Sequence, residues 1–290
     1  MDYPEVLVLG PGDYQCLLQL GVCLYLDHRE YLNNIHYYIG VDSGAILSLL
    51  LNIGLKPVEI VIELLKFEPL QQDFNPSNLI FKHGMLGQED IIYFLNDIVK
   101  HKLGYVPTLE QLYNITRKEV CFVASQKNGE AKYVTYKNEP KLSCVNAAVM
   151  AYSKPLIFAR IKFRNDEYIG GILDDPYPVN YYNDGNRRIL GIFASPKYHS
   201  NNKLLEYLND IVLRPILHIF KLVAENSGEN CDHIYISSDK IDLLYSAVNL
   251  SDKYQIIYNG ISSGEKFYID KCPDLNLQNN TVFPDKDMFN

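Results

Sequence analysis

The sequence predicts an α/β fold in three layers, with a mostly parallel central sheet covered by helices on both faces. Apolar β-like runs alternate with helix-like runs from the first residues onward. A chain of 290 residues with 47% hydrophobic side chains can bury a substantial core without disulfides or metals. No linker-like change in composition and no internal repeat divides it, so residues 1–271 are expected to form one domain, followed by an irregular polar tail over 272–290.

The elements follow in order. "EVLVLG" (5–10) is a strand and "YQCLLQLGVCLYLDHR" (14–29) an apolar helix. "IHYYI" (35–39) is the next strand and "SGAILSLLLNIG" (43–54) the next helix. Pro57 near the start of "KPVEIVIELLKFE" suits a first helical turn, where its missing N–H costs nothing. A loop rich in Asn, Pro and Ser (73–87) separates that helix from "QEDIIYFLNDIVKHK". In "PTLEQLYNI", Thr108 and Gln111 have the spacing of a capping box. "EVCFVASQ" and "AKYVTY" flank "KNGE", and Asn-Gly between apolar runs signals a hairpin. After the helix "KLSCVNAAVMAYS" come three strand-like runs, "LIFARIKF", "EYIGGIL" and "ILGIFAS". The long helix "NNKLLEYLNDIVLRPILHIFKLVAEN" carries Pro215 inside it, which predicts a kink or break. "HIYISS" is the last strand, and the segment from Asp239 to Tyr268 reads as helix.

A net charge of −8 and a pI near 5.4 argue against a nucleic-acid partner, because binding phosphate backbones needs clustered Lys and Arg. No apolar run approaches the ~18 residues of a membrane span. The first strand begins within five residues, which leaves no room for a signal peptide and predicts a cytoplasmic protein. A component of a viral particle would also suit this composition. The cysteines (16, 23, 121, 144, 231 and 272) form no C-x-x-C pair and the histidines show no i,i+4 spacing, so neither a metal nor a cofactor is expected. Cys16 and Cys23 fit one buried helix face as small hydrophobes.

"GVDSG" (40–44) raises the question of function. It has the shape of a G-x-S-x-G nucleophile elbow, in which glycines let strand and helix pack closely around an exposed serine, but Asp42 holds the serine position. Read structurally, this is a strand-to-helix turn whose Asp42 caps the helix or meets its dipole. Ser43 is the alternative nucleophile. One residue along a helix is about 100° of rotation, however, so Ser43 should point elsewhere and serve the first turn.

Together these pieces resemble a patatin-like phospholipase (acyl hydrolase) domain, over roughly residues 5–270. "VLVLGPGDYQCLLQLGV" is similar to the family's glycine-rich oxyanion motif: Gly10, Pro11, Gly12 and Asp13 fall on the glycine run, Gln15 on its arginine and Cys16 on the next glycine. "GVDSG" falls on the elbow, and "YIGGILDDPYPV" resembles the D-G-G-x-x-x-N-x-P stretch whose aspartate completes a Ser–Asp dyad. The resemblance implies a three-layer α/β fold with a lipid or acyl ligand.

The departures bear on chemistry. An acyl-Asp42 would be an anhydride, and a carboxylate of pKa near 4 leaves a tetrahedral intermediate far more readily than an alcohol, so ester cleavage by this route runs uphill. Ile169 replaces the dyad aspartate and can neither orient nor deprotonate a nucleophile. Asp174 and Asp175 are the nearby carboxylates that could substitute for it or cap the next turn. Pro11 has no N–H to offer an oxyanion, Asp13 adds negative charge beside it, and Gln15 lacks the arginine's cation. The expectation is a hydrolase fold without its dyad, acting by binding lipid or a protein partner or within an assembly. The alternative is an active acyl hydrolase using Ser43 or a substituted dyad.

Overall fold

Five parallel strands form the middle of the molecule, and their side chains sort alternately into two cores. The computed structural model describes residues 3–12, 16–67, 84–195, 198–199, 203–237, 241–242 and 250–273. The parallel strands are β1 (Val6–Leu9), β2 (Tyr37–Val41), β4 (Glu119–Gln126), β9 (Ile189–Ser195) and β11 (Cys231–Ser237), lying in the order β11-β9-β1-β2-β4. The sheet continues through antiparallel β8 (Asp166–Gly170) and β7 (Ile161–Phe163), and β5 (Ala131–Val134) also pairs with β4. Two-stranded pairs join β3 (Gly84–Leu86) to β6 (Leu156–Phe158) and β10 (Tyr198–His199) to β12 (Ile241–Asp242).

With a side-chain period of two, one face takes Leu7, Leu9, Phe122, Ala124, Leu190 and Ile192, and the other takes Val6, Val8, Cys121, Val123, Ile189 and Phe193. The first set joins the larger core, with helices α1 (Cys16–His28), α2 (Ser43–Asn52), α3 (Pro57–Lys66), α4 (Glu89–Leu103), α5 (Leu109–Thr116), α6 (Cys144–Tyr152) and α8 (Leu250–Lys271) contributing side chains. The second set is covered by α7 (Lys203–Asn226), through Ile216 and Phe220, and by the irregular segment holding Tyr177, Val179 and Tyr182. The expected layered α/β fold is the one observed.

Local expectations mostly hold, with informative corrections. Thr108 Oγ1 accepts from the Gln111 N–H (3.3 Å) while Gln111 Oε1 accepts from the Thr108 N–H (2.9 Å), completing the capping box. β4 and β5 form the expected hairpin, with Gly129 at φ +82° in its turn. Strand β2 runs two residues later than its apolar pattern suggested, because pairing with β1 aligns Val6 with Tyr37 and Leu9 with Gly40. "EYIGGIL" stops being a strand at Gly170 and turns through a 3₁₀ segment, Gly171–Leu173. The final helix starts at Leu250, whereas Ile241–Asp242 is a strand. Pro215 does not break α7, which continues from Lys203 to Asn226. The carbonyl that loses its partner belongs to Ile211, which is 51% exposed, so water can take the vacated bond. Cys23 is buried as expected, and Cys16 is only partly so. The polar tail from 274 onward lies outside the described residues.

The smaller core contains a directed hydrogen-bond chain. Ser227 Oγ donates to the Ala224 carbonyl (3.1 Å), so it accepts from His233 Nε2 (2.7 Å), leaving Nδ1 to accept from the buried Tyr177 hydroxyl (2.8 Å). The neutral ring suits this chain, and burial pushes the His233 pKa below its usual 6.5 although neighbouring Asp232 acts the other way. Because the folded pKa lies below the unfolded one, the unfolded chain binds more protons just below pH ~6.5, and stability falls as pH falls through that range. We expect the urea midpoint to drop between about pH 7 and 5.5, and His233→Gln to flatten that drop. An unchanged pH profile in the variant would count against this role.

Candidate functional site

The elbow sits at the carboxyl end of the parallel strands, where open α/β sheets place their ligands. β1 lies between β2 and β9, so the chain order reverses direction beside it, and the loop after β1 opens at that switch point. Gly10, Pro11 and Gly12 of this loop are all buried. The Gly10 N–H is committed to the Ile192 carbonyl (3.0 Å) and Pro11 has none, so Gly12 is the remaining backbone donor among the described loop residues. Asp13 and Gln15 lie outside the described residues.

Close packing dictates the turn itself. A Cβ on Gly40 would strike the Gly44 carbonyl and come within 2.6 Å of Ala45 Cα, while one on Gly44 would strike the Leu9 carbonyl and lie 2.6 Å from the Gly10 carbonyl oxygen. Strand, helix and loop therefore meet through bare backbone, as an elbow requires. Between the glycines, Asp42 takes φ +54° and ψ −129°, a conformation that side chains other than glycine rarely adopt. It is 1% exposed. Asp42 occupies the N-cap position of α2 but makes no side-chain capping bond, which corrects the expectation that it caps the helix in that way. Ser43 is the first residue of α2, 3% exposed, and its Oγ has no hydrogen-bond partner among the described residues.

The D-G-G-like stretch reaches the same place. The Asp42 N–H donates to the Ala151 carbonyl (3.2 Å), and a Cβ on Gly170 would come within 2.9 Å of that same oxygen. Elbow and Gly170 thus converge on the end of α6, one residue beyond Ile169. Ile169 pairs with Ser125 across β4 and β8. Asp175 accepts from the Tyr133 hydroxyl (2.6 Å) and the Tyr177 N–H (3.3 Å), which makes it a turn-holding group; burial raises its pKa, partly offset by these two bonds. Asp174 lines a cleft beside Ile169.

Gln19 was not singled out from the sequence. It is fully buried in α1, and its Nε2 donates to the carbonyls of Gly10 (2.8 Å) and Ile192 (3.3 Å), tying helix, loop and β9 together. Its signal was a lone amide inside the apolar run "CLLQLGV", since a buried amide needs backbone partners. The expected acyl pocket between the elbow and loop 73–87 lies mostly outside the described residues, which omit 68–83. Among the described residues no group of His, Cys, Asp and Glu could hold a metal, and no helix is long and apolar enough to cross a membrane.

No family model matches the sequence. A protein of Invertebrate iridescent virus 6 named "Probable lipid hydrolase 463L" is 29% identical over 261 residues, covering 78% of this chain and 87% of the relative. The structure is similar to that of VipD from Legionella pneumophila, with a TM-score of 0.57 at 14% identity, over 92% of this chain and 67% of VipD. It is similar also to the type III effector ExoU, with a TM-score of 0.56 at 13% identity, over 92% of this chain and 53% of ExoU. The chain therefore spans about half of ExoU. At these identities the structural likenesses show a common fold.

The backbone at Asp42 gives a test of the elbow. A β-branched side chain there is strongly strained whereas glycine is not, so Asp42→Gly should be at least ~2 kcal/mol more stable than Asp42→Val in urea denaturation. Equal stabilities would mean that the turn is not held in this conformation.

Proposed function

We infer that this chain is a lipid-hydrolase-fold protein of the patatin-like type that has lost serine–aspartate ester hydrolysis and acts by binding a lipid or acyl chain, or a protein partner. The observation that carries this reading is the pairing of a preserved elbow backbone with the wrong side chains: Asp42 at the strained tip and Ile169 beside Gly170. The elbow supplies the shape of a nucleophile turn, and neither side chain supplies the chemistry. The Asp42 carboxyl fills the place from which a serine hydroxyl would attack and offers no alcohol nucleophile there, and Ile169 has no atom that takes a proton. The loop offers Gly12 as its remaining described donor, and losing one oxyanion donor costs about 3 kcal/mol of transition-state stabilisation. The viral relative's name supports lipid as the ligand class.

Ser43 favours a second reading. Its buried hydroxyl, without a partner among the described residues and placed at the start of α2, is where a displaced nucleophile would stand. On this reading the chain is an active acyl hydrolase.

Hydrolysis assays separate the two. With p-nitrophenyl butyrate and phospholipid vesicles we expect no turnover above buffer, and a gain only when Asp42→Ser and Ile169→Asp are combined. Wild-type turnover abolished by Ser43→Ala would establish the second reading. For the binding role, a fluorescent fatty acid should give a saturable signal; its absence would remove the acyl chain as ligand and leave the protein partner.

A further inference from the structure

Strand β11 (Cys231–Ser237) stands at one end of the main sheet, with β9 as its ladder partner. The two strands are parallel, so alternate residues of β11 turn their backbone groups toward β9 and the rest turn theirs away. The Ile189 N–H donates to the Asn230 carbonyl (2.9 Å), which sets the phase. Asp232, Ile234 and Ile236 face β9, whereas His233, Tyr235 and Ser237 present their N–H and C=O groups outward. Among the described residues no backbone bond claims those outward groups.

Sheet edges are usually guarded by shortness, by Pro or by Lys, because their unpaired groups invite another strand. The opposite end of the sheet is guarded in this way: β7 is three residues long and carries the exposed Lys162. β11 has seven residues, none of them Pro, Lys or Arg. Its one carboxylate, Asp232, is paired with Lys271 and lies 3.9 Å from Arg188. Further along, Tyr235 is 48% exposed, with its ring stacked on Phe220 at 5.3 Å between centroids. An open edge of this length, uncharged beyond its second residue, is a template for strand addition.

The edge also complements itself. Turned end for end about Tyr235, it sets Tyr235 opposite Tyr235 of the partner subunit, His233 opposite Ser237 of the partner subunit, and Ile234 opposite Ile236 of the partner subunit. Aromatic meets aromatic on one face and aliphatic meets aliphatic on the other, with no like charges opposed. Centring the pairing on Ile234 would instead set Asp232 against Ile236 of the partner subunit, a charge against an aliphatic side chain. We propose that two copies of this chain associate by antiparallel pairing of β11 with β11, about a twofold axis at Tyr235, joining their sheets into one. Such a contact is isologous and consumes the edge it uses, so the assembly closes at two copies. It does not involve the elbow and stands or falls separately from the function proposed above.

Sedimentation velocity and residue-resolved amide exchange on the full chain test this. From ~1 to ~200 µM we expect monomer to give way to dimer, with the amides of His233, Tyr235 and Ser237 gaining protection as concentration rises. Those of Ile234 and Ile236, bonded to β9, should be protected throughout. Tyr235→Lys sets two ammonium groups opposite each other at the axis, and Ser237→Pro removes an outward N–H without touching the β9 ladder; each should weaken association at least ~10-fold. Circular dichroism checks that each variant is folded, and Ser237, exposed at the strand's end, is the change the fold tolerates more readily. A monomer at every concentration, a dimer that neither variant weakens, or outward amides protected equally at all concentrations would overturn the proposal; the last would mean that the edge is covered within a single chain.

Discussion

The backbone contact at the elbow is the constraint from which the site follows. Gly44 of α2 lies against the carbonyls of Leu9 and Gly10, and Gly40 of β2 lies against Gly44, so β1, β2 and α2 share one contact with no side chain between them. That approach leaves Asp42 a narrow range of backbone angles. A φ of +54° and ψ of −129° costs on the order of 1–3 kcal/mol for a residue with a Cβ, and only surrounding packing can hold it there. The packing is ample: Leu9, Ala45, Leu47, Leu49 and Leu50 are essentially excluded from solvent. The turn is therefore kept by the core, whatever side chain stands at its tip.

This separates shape from chemistry. Position 42 stays buried and strained because removing the strain would mean opening the β2–α2 contact. Catalysis asks for something different: a nucleophile worse as a leaving group than the product, a base, and free donors for the oxyanion. The positions that the family resemblance assigns to these roles lie on different segments, respectively the elbow, β8 and the loop after β1. Substitutions at Asp42, Ile169 and Pro11 touch none of the backbone contacts that hold the turn, so the fold can persist while the chemistry changes.

Much of this was legible in the sequence because it is local. The two glycines of "GVDSG" fixed strand, turn and helix together, the Thr108/Gln111 spacing gave a cap, and Asn-Gly gave a hairpin. What was missed depends on distant partners. β2 begins at Tyr37 because β1 sets its register, Pro215 is tolerated because its turn faces water, and Gln19 acts through two carbonyls of which one lies 173 residues away. Ser125 and Asp174 could not be paired by any motif. Both line one cleft because β8 returns antiparallel along the end of β4 and the 3₁₀ turn Gly171–Leu173 leads into Asp174.

The two faces of the sheet also differ in what holds them together. The larger core packs helices whose buried residues are almost wholly apolar, and this hydrophobic burial needs no particular protonation state. The smaller core holds the Tyr177–His233–Ser227 chain, the Tyr133–Asp175 bond and the Tyr182–Glu119 bond (3.0 Å). Such bonds are directional, and each is costly when one partner is lost, so this layer fixes its geometry more tightly than its modest apolar area would.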